Sequence, residues 1–277
     1  MQNYRRNAVC LVSGGVDSIT TVYYVVRVVN PPKVLLIHAN YGQRMAEYER
    51  WCAAKASEDL AAPLKEVDLR WLGRLSTSML VRDEQLPETP VESLWDPEKA
   101  RDRILRWWDV VRNLQLITVG LAHAESFDLT AYLKENRREP WDVYIGIRRE
   151  TPVAMKDNTP EFIEEMNRVA EVSTHFGGYR VHAPLINLDK DAVVKLGQML
   201  NVPWIYTYSC YQGAGWSGDG FPIHCGTCSN CRRRYLGFKQ AGIPDPSLYL
   251  KPPVEGEFRQ RVDRSGKTYY VDRRCST

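Results

Sequence analysis

Ala8-Val9-Cys10-Leu11-Val12-Ser13-Gly14-Gly15-Val16-Asp17-Ser18 is the stretch that decides the fold. The run Ala8–Val12 is short, apolar and closed by Ser-Gly-Gly, which reads as a strand buried on both faces. From Asp17 to Asn30, Ile19, Val22, Tyr23 and Val26 recur at helical spacing until Pro31-Pro32 stops the element. A strand that passes through a glycine turn into a helix amino terminus builds an anion site. Main-chain N–H groups converge there, the helix end is positive, and the serine hydroxyls add donors. Asp17 stands where a carboxylate would hold Mg²⁺ against phosphates. Neither Gly-x4-Gly-Lys-Ser/Thr nor Gly-x-Gly-x-x-Gly occurs at this strand-to-helix turn, so neither a P-loop motor nor a dinucleotide fold is indicated. Outward from the turn, Lys33–His38 reads as a second buried strand, Arg44–Leu60 as a helix and Leu64–Leu69 as a third strand. This β-α-β-α-β opening predicts a doubly wound parallel sheet, a Rossmann-like α/β fold with helices on both faces.

Further along, Pro87–Pro97 reads as an acidic loop, Val110–Ser126 as a core helix and Asp142–Ile147 as a strand. Pro160 begins a helix, Tyr179–Ala183 is a strand, Asp189–Leu200 a helix capped by Asp189, and Trp204–Ser209 a last strand. Val262–Asp272 reads as a hairpin around Asp-Arg-Ser-Gly-Lys-Thr. The chain has 277 residues, 44% hydrophobic and 26% charged, which is ordinary globular usage. Its net charge of +3 lies in the tail from Lys251 onward, so the rest is neutral and has no broad electrostatic grip on nucleic acid. The expectation is a chain of the cytoplasm without membrane contact, since no apolar run approaches the ~20 residues that span a bilayer.

Four of the seven cysteines cluster as Cys210 and Cys225-x-x-Cys228-x-x-Cys231. Four thiolates at such spacing suit tetrahedral Zn²⁺ with no position open for water, a structural site. An Fe–S cluster is the alternative. His224, beside Cys225, is expected to be solvated rather than a ligand, and Arg232-Arg233-Arg234 to be a solvated helix face or a phosphate contact.

Ser13-Gly14-Gly15-Val16-Asp17-Ser18 resembles the pyrophosphate loop of the ATP pyrophosphatases, the adenine-nucleotide hydrolase-like fold. Further motifs narrow the likeness: Tyr41-Gly42-Gln43-Arg44, Arg112-Asn113, Pro160-Glu161-Phe162-Ile163, Pro184-Leu185-Ile186 with Lys190, Tyr208-Ser209-Cys210-Tyr211 and Gly242-Ile243-Pro244-Asp245-Pro246. Together they resemble the 7-cyano-7-deazaguanine synthase family over roughly residues 8–250. The resemblance implies ATP, Mg²⁺, a structural Zn²⁺ and a homodimer. It implies adenylation of 7-carboxy-7-deazaguanine with release of pyrophosphate, then attack by ammonia to give the amide and, with a second ATP, the nitrile.

By the same resemblance, Ser13, Asp17, Ser18 and Lys190 are the catalytic residues. Gly14, Gly15, Val16, His38, Ala39, Tyr41, Gln43 and Arg44 join them around ATP, with Lys190 meeting a phosphate as a point charge. Arg112, Asn113, Asp157 and Phe162 would bind the deazaguanine acid, Asp157 accepting from the guanine-like edge or else serving as an N-terminal helix charge. The implied division is an ATP-binding α/β domain over residues 1–205, a four-cysteine zinc-binding helical module over 206–250 and a basic tail over 251–277.

The segment Gly146–Asp157 departs from the family pattern Gly-x-Asn-x-x-Asp-x-Ser-Gly-Tyr-Pro-Asp except at Gly146 and Asp157. Arg148 and Arg149 are either solvated there or meet an acidic group. Extra chain at about residues 92–109, 213–223 and beyond 250 suits a macromolecular acceptor, with Trp95, Trp107 and Trp108 core or interface residues. Two alternatives follow: transfer of the activated deazaguanine to a protein amine, as in antiviral relatives, or modification of tRNA, which the neutral body disfavours.

Overall fold

The structure is a computed structural model describing residues 5–275 except 83, 85, 150–152 and 154. Glu150, Thr151, Pro152 and Ala154 of the divergent segment therefore lie outside the described residues. Strand β1 (Asn7–Leu11) leads through the glycine turn into helix α1 (Val16–Tyr24), which widens into a π-turn over Val25–Val29 and ends at left-handed Asn30. There follow β2 (Val34–Asn40), α2 (Ala46–Leu60), β3 (Leu64–Asp68), α3 (Arg70–Leu75), α4 (Pro97–Trp107), α5 (Arg112–Glu135), β4 (Trp141–Ile145), α6 (Pro160–Ser173), β5 (Val181–His182) and α7 (Lys190–Met199). The five strands form one parallel sheet in the order β3-β2-β1-β4-β5. The order reverses between β1 and β4. That switch point leaves a crevice at the carboxyl ends of the strands.

Strands β1 and β4 are buried along their whole length, as the apolar run Ala8–Val12 anticipates. One face of the sheet packs Ile19, Val22 and Tyr23 of α1, Ala53 and Ala56 of α2, and Val193 and Val194 of α7. The other packs Ile117, Leu121 and Ala124 of α5 and Met166 and Ala170 of α6. Both faces are covered, which makes the sheet doubly wound. Thr159 caps α6, its hydroxyl accepting the Phe162 N–H just ahead of Pro160.

The carboxyl-terminal part comprises β6 (Ile223–His224), α8 (Ser229–Ala241), β7 (Leu248–Tyr249) and the hairpin β8 (Phe258–Val262) to β9 (Thr268–Asp272). The hairpin forms where Asp263-Arg-Ser-Gly-Lys predicted a turn, with the Asp263 carboxylate accepting the Ser265 and Lys267 N–H groups. It joins β6 and β7 in a sheet ordered β6-β7-β9-β8, so the module carries a small sheet beside its helix and tail residues pair within it.

Several expected elements differ. Trp204–Ser209 is not a strand: Trp204–Tyr206 form a 3₁₀ turn, because the Trp204 ring is buried against Phe238 and Gly197. The chain then runs on to the phosphate loop, where the Tyr208 N–H donates to the Gly14 carbonyl at 2.9 Å. The loop expected over Pro87–Pro97 contains a 3₁₀ turn, Val91–Trp95. The core helix expected to end at Ser126 continues to Glu135, its buried stripe extending to Asp128. The strand expected over Tyr179–Ala183 pairs only at Val181–His182.

Candidate active site

The crevice at the switch point holds a cavity of about 230 Å³. The phosphate loop forms one wall, the ends of β1, β2 and β4 the floor, and the Tyr208–Tyr211 segment the opposite wall. Gly14 adopts φ +76°, and a Cβ there would stand 2.7 Å from the Cys52 Cβ and 2.8 Å from the Glu49 carbonyl. Helix α2 thus presses directly on the turn, and only glycine satisfies both the conformation and the space. The Ser18 hydroxyl lies 3.2 Å from the Ser13 hydroxyl and donates to the Gly15 carbonyl, closing the loop on itself.

Lys190, 173 residues away at the start of α7, places Nζ 2.7 Å from both Asp17 oxygens. Arg148 brings Nε to 3.5 Å from Asp17 Oδ2 with its side chain 8% exposed. Burial alone would push the Asp17 carboxyl up, but Lys190 and Arg148 outweigh it and hold the group below the usual carboxylate range. The carboxylate foreseen as a magnesium ligand therefore meets two cations, and Arg148 meets an acidic group rather than solvent.

Beside the end of β2, His38 Nδ1 lies 3.1 Å from the Val12 carbonyl, and Ala39 and Tyr41 line the cavity. Gln43 accepts the Tyr41 N–H and donates to the Ala39 carbonyl and to Glu49, which fixes that rim. Arg44 does not line the cavity: its guanidinium donates to the Glu84 carbonyl. On the far side, Arg112 pairs with buried Asp109 at 3.2 Å, and Asn113 donates to Asn158 at 2.9 Å. Asn158 lines the cavity and Asp157 does not. Burial pushes the Asp157 carboxyl up, more than Arg112 lowers it, and its Oδ1 is buried without a hydrogen-bond partner. Phe162 packs into the core beside α5 and is absent from the cavity wall.

Val111, just ahead of Arg112, stands at φ +46° and is half exposed. A β-branched side chain in the left-handed region is strained by about 1–2 kcal/mol. Val111→Gly is expected to raise stability by about 1 kcal/mol after the entropy cost of glycine, seen as a higher denaturant midpoint at unchanged slope. An unchanged or lower midpoint refutes the strain.

Cys210, Cys225, Cys228 and Cys231 are all buried, with their sulfurs within 4.8 Å of one another. The Cys225–Cys231 and Cys228–Cys231 sulfur separations are 3.8 and 3.4 Å. Four thiolates about 2.3 Å from one tetrahedral ion stand about 3.8 Å apart, so the donor set fits a single metal ion. The main-chain N–H groups of Gln212, Gly213 and Cys225 donate to Cys210 Sγ, the pattern that favours thiolate. Cys210 also lines the cavity between Tyr208 and Tyr211.

Two neighbours of this centre are not solvated as expected. His224 is buried, its Nε2 accepting the Ser209 N–H. Burial and then the Arg234 charge bring its pKa down to about 3. Arg234 is 1% exposed, paired with Asp245 at 3.1 Å and bonded to Thr207 and Ser209, so it ties α8 to the cavity wall. The sequence reading missed Glu49, Asn158, Tyr208, Tyr211 and Asn230 as wall residues. Of these, only the two tyrosines carried a signal, as neighbours of Cys210. No helix among the described residues is long and apolar enough to cross a membrane.

Comparison with known proteins agrees with this geometry. The family model described as "Queuosine biosynthesis protein QueC" matches residues 7–242. The chain is 32% identical to the 7-cyano-7-deazaguanine synthase of Pyrococcus abyssi, over 90% of this chain and 99% of that one. It is 34% identical to the synthase of Methanococcus maripaludis strain C5, over 88% and 98%. Among solved structures, a U34-tRNA thiolase from Methanococcus maripaludis is similar over 73% of this chain and 60% of its own, at 14% identity and a TM-score of 0.36. With a phosphate loop, a switch-point cavity and a four-cysteine centre in one chain, and a family model spanning both, this protein belongs to the QueC family of ATP-dependent C–N ligases.

Proposed function

We propose that the chain adenylates 7-carboxy-7-deazaguanine with ATP, releases pyrophosphate, and passes the acyl group to ammonia, giving the amide and, with a second ATP, 7-cyano-7-deazaguanine. A carboxylate is a poor electrophile, and adenylation gives it a good leaving group. The observation that carries the reading is the convergence of Lys190 and Arg148 on Asp17 at the phosphate loop, inside a cavity whose far wall is Arg112, Asn113 and Asn158.

In this reading the loop N–H groups and the Ser13 and Ser18 hydroxyls bind the leaving phosphates, and Lys190 offsets charge as the bond to the α-phosphate breaks. His38–Tyr41 border adenine, and Arg112 and Asn113 hold the acid. Mg²⁺, when bound, neutralises phosphate charge beside Asp17. The four cysteines hold Zn²⁺ as a closed structural ion.

A second acceptor, a protein amine, is favoured by Leu75, Leu105 and Val111. These apolar side chains are 65, 76 and 50% exposed on segments bordering the Arg112 wall. Exchange of labelled pyrophosphate into ATP tests the first step. The deazaguanine acid is expected to drive exchange, while tRNA or no acceptor is not. Exchange driven only by tRNA sinks the reading. Mass spectrometry of the product then separates free nitrile from a protein adduct.

A further inference from the structure

Arg148 follows a stretch of chain packed closely on the phosphate loop. Gly146, two residues earlier, packs so tightly on the start of α1 that a Cβ there would stand 2.5 Å from the Ser18 Cα. One residue later, the Arg149 N–H donates to the Ile186 carbonyl at 2.9 Å. The main chain on both sides of Arg148 is thus fixed against the phosphate loop and the strand β5 connection. Its side chain is buried, lines the cavity and reaches the same carboxylate that Lys190 grips through both oxygens. A guanidinium is a planar fork of donors that suits a phosphate bound through two oxygens, and this one lines the cavity beside the loop.

We propose that Arg148 is a second phosphate-binding cation: when a polyphosphate fills the loop, its guanidinium turns from Asp17 to the phosphate oxygens while Lys190 remains. The proposal rests on the adenylating reading above. The carboxylate oxygen of the acid bonds to the α-phosphorus, the bond from that phosphorus to the bridging oxygen breaks, and pyrophosphate leaves with the electron pair. Arg148 meets the charge that grows on the leaving oxygens, and no proton moves to or from it. It is therefore a binding and catalytic residue, distinct from the arginine of the acid pocket, Arg112.

The test uses inorganic pyrophosphate as the probe, because it needs no acid and no turnover. Calorimetric titration of the full chain with magnesium pyrophosphate is compared for wild type, Arg148→Gln and Arg148→Lys. Arg148→Gln is expected to weaken pyrophosphate binding at least about tenfold and to lower kcat/KM for ATP in exchange about 10²-fold, with KM for the acid unchanged. Arg148→Lys keeps the charge and loses the fork, so it is expected to recover part of both losses. Pyrophosphate affinity unchanged in folded Arg148→Gln overturns the proposal, as does a rise in KM for the acid alone. Should the glutamine variant not fold, unchanged affinity in Arg148→Lys overturns it equally. A wild-type chain that binds pyrophosphate but shows no exchange with the deazaguanine acid removes the substrate reading and leaves the role of Arg148 to be decided by the titration.

Discussion

Asp17→Asn is expected to lower ATP–pyrophosphate exchange about 10²–10³-fold, the scale seen when one preorganised group is removed from a charge-stabilising site. The amide has the same shape as the carboxylate, so the loop keeps its form and loses only its charge. Lys190 then lacks the partner that holds Nζ 2.7 Å from two oxygens, and Arg148 lacks the one at 3.5 Å. The same change also costs stability, by about 1–3 kcal/mol, because two buried or partly buried cations lose the charge of Asp17. Two measurements keep the effects apart. Exchange is read well below the melting temperature of each variant, and Asp17→Asn is compared with the double variant Asp17→Asn/Lys190→Met. Removing both charges is expected to recover part of the stability and none of the exchange. Full exchange in folded Asp17→Asn refutes the role assigned to the loop.

How much of this site the sequence disclosed follows from how local each contact is. The strand, glycine turn and helix over residues 7–24 are neighbours in the chain, so periodicity and turn chemistry alone place the loop. The cysteine spacing likewise discloses a set that could hold a metal ion, since three of its four members lie within seven residues. Lys190 was legible only through the family resemblance, because nothing local relates α7 to a loop 173 residues earlier. Asp157 and Phe162 show the opposite case. Motif position points to both, but the turn before α6 directs Asn158 into the cavity and packs Phe162 against the core on that face of the sheet. Arg234 escaped because a triple arginine reads as a solvated face, and its partner Asp245 arrives from beyond the end of α8. Trp204–Ser209 misled because its apolar and aromatic residues suit a strand by composition. Only the burial of Trp204 against another helix turns the chain.

Removing the metal is expected to reach the nucleotide site, and this separates the present structure from one with an independent zinc knob. Cys210 is at once a member of the four-thiolate set and a cavity wall residue, and Tyr208, two positions before it, is hydrogen-bonded to Gly14 of the phosphate loop. The sulfurs sit in one buried cluster with Met45 and Cys52 of the α2 side and Phe258 of the hairpin. Without the ion, four buried thiols at 3.4–4.8 Å lose the charge that keeps deprotonated sulfurs together. Structural zinc contributes about 10–16 kcal/mol to the folding of small isolated modules. Here the aromatic packing of Tyr48, Tyr208 and Trp216 supplies part of the support, so the loss is expected to be local rather than global. Cys228→Ser, or chelation of the wild type, is therefore expected to release one metal ion per chain and to lower the melting temperature. It is also expected to raise KM for ATP at least about tenfold through the wall that borders the loop. Circular dichroism should retain most of the helical signal, because α1, α2, α5, α6 and α7 all pack on the parallel sheet, although α2 and α7 also touch the module. Complete metal loss with unchanged KM for ATP would show that the thiolate centre and the loop are uncoupled, whatever their contact at Tyr208.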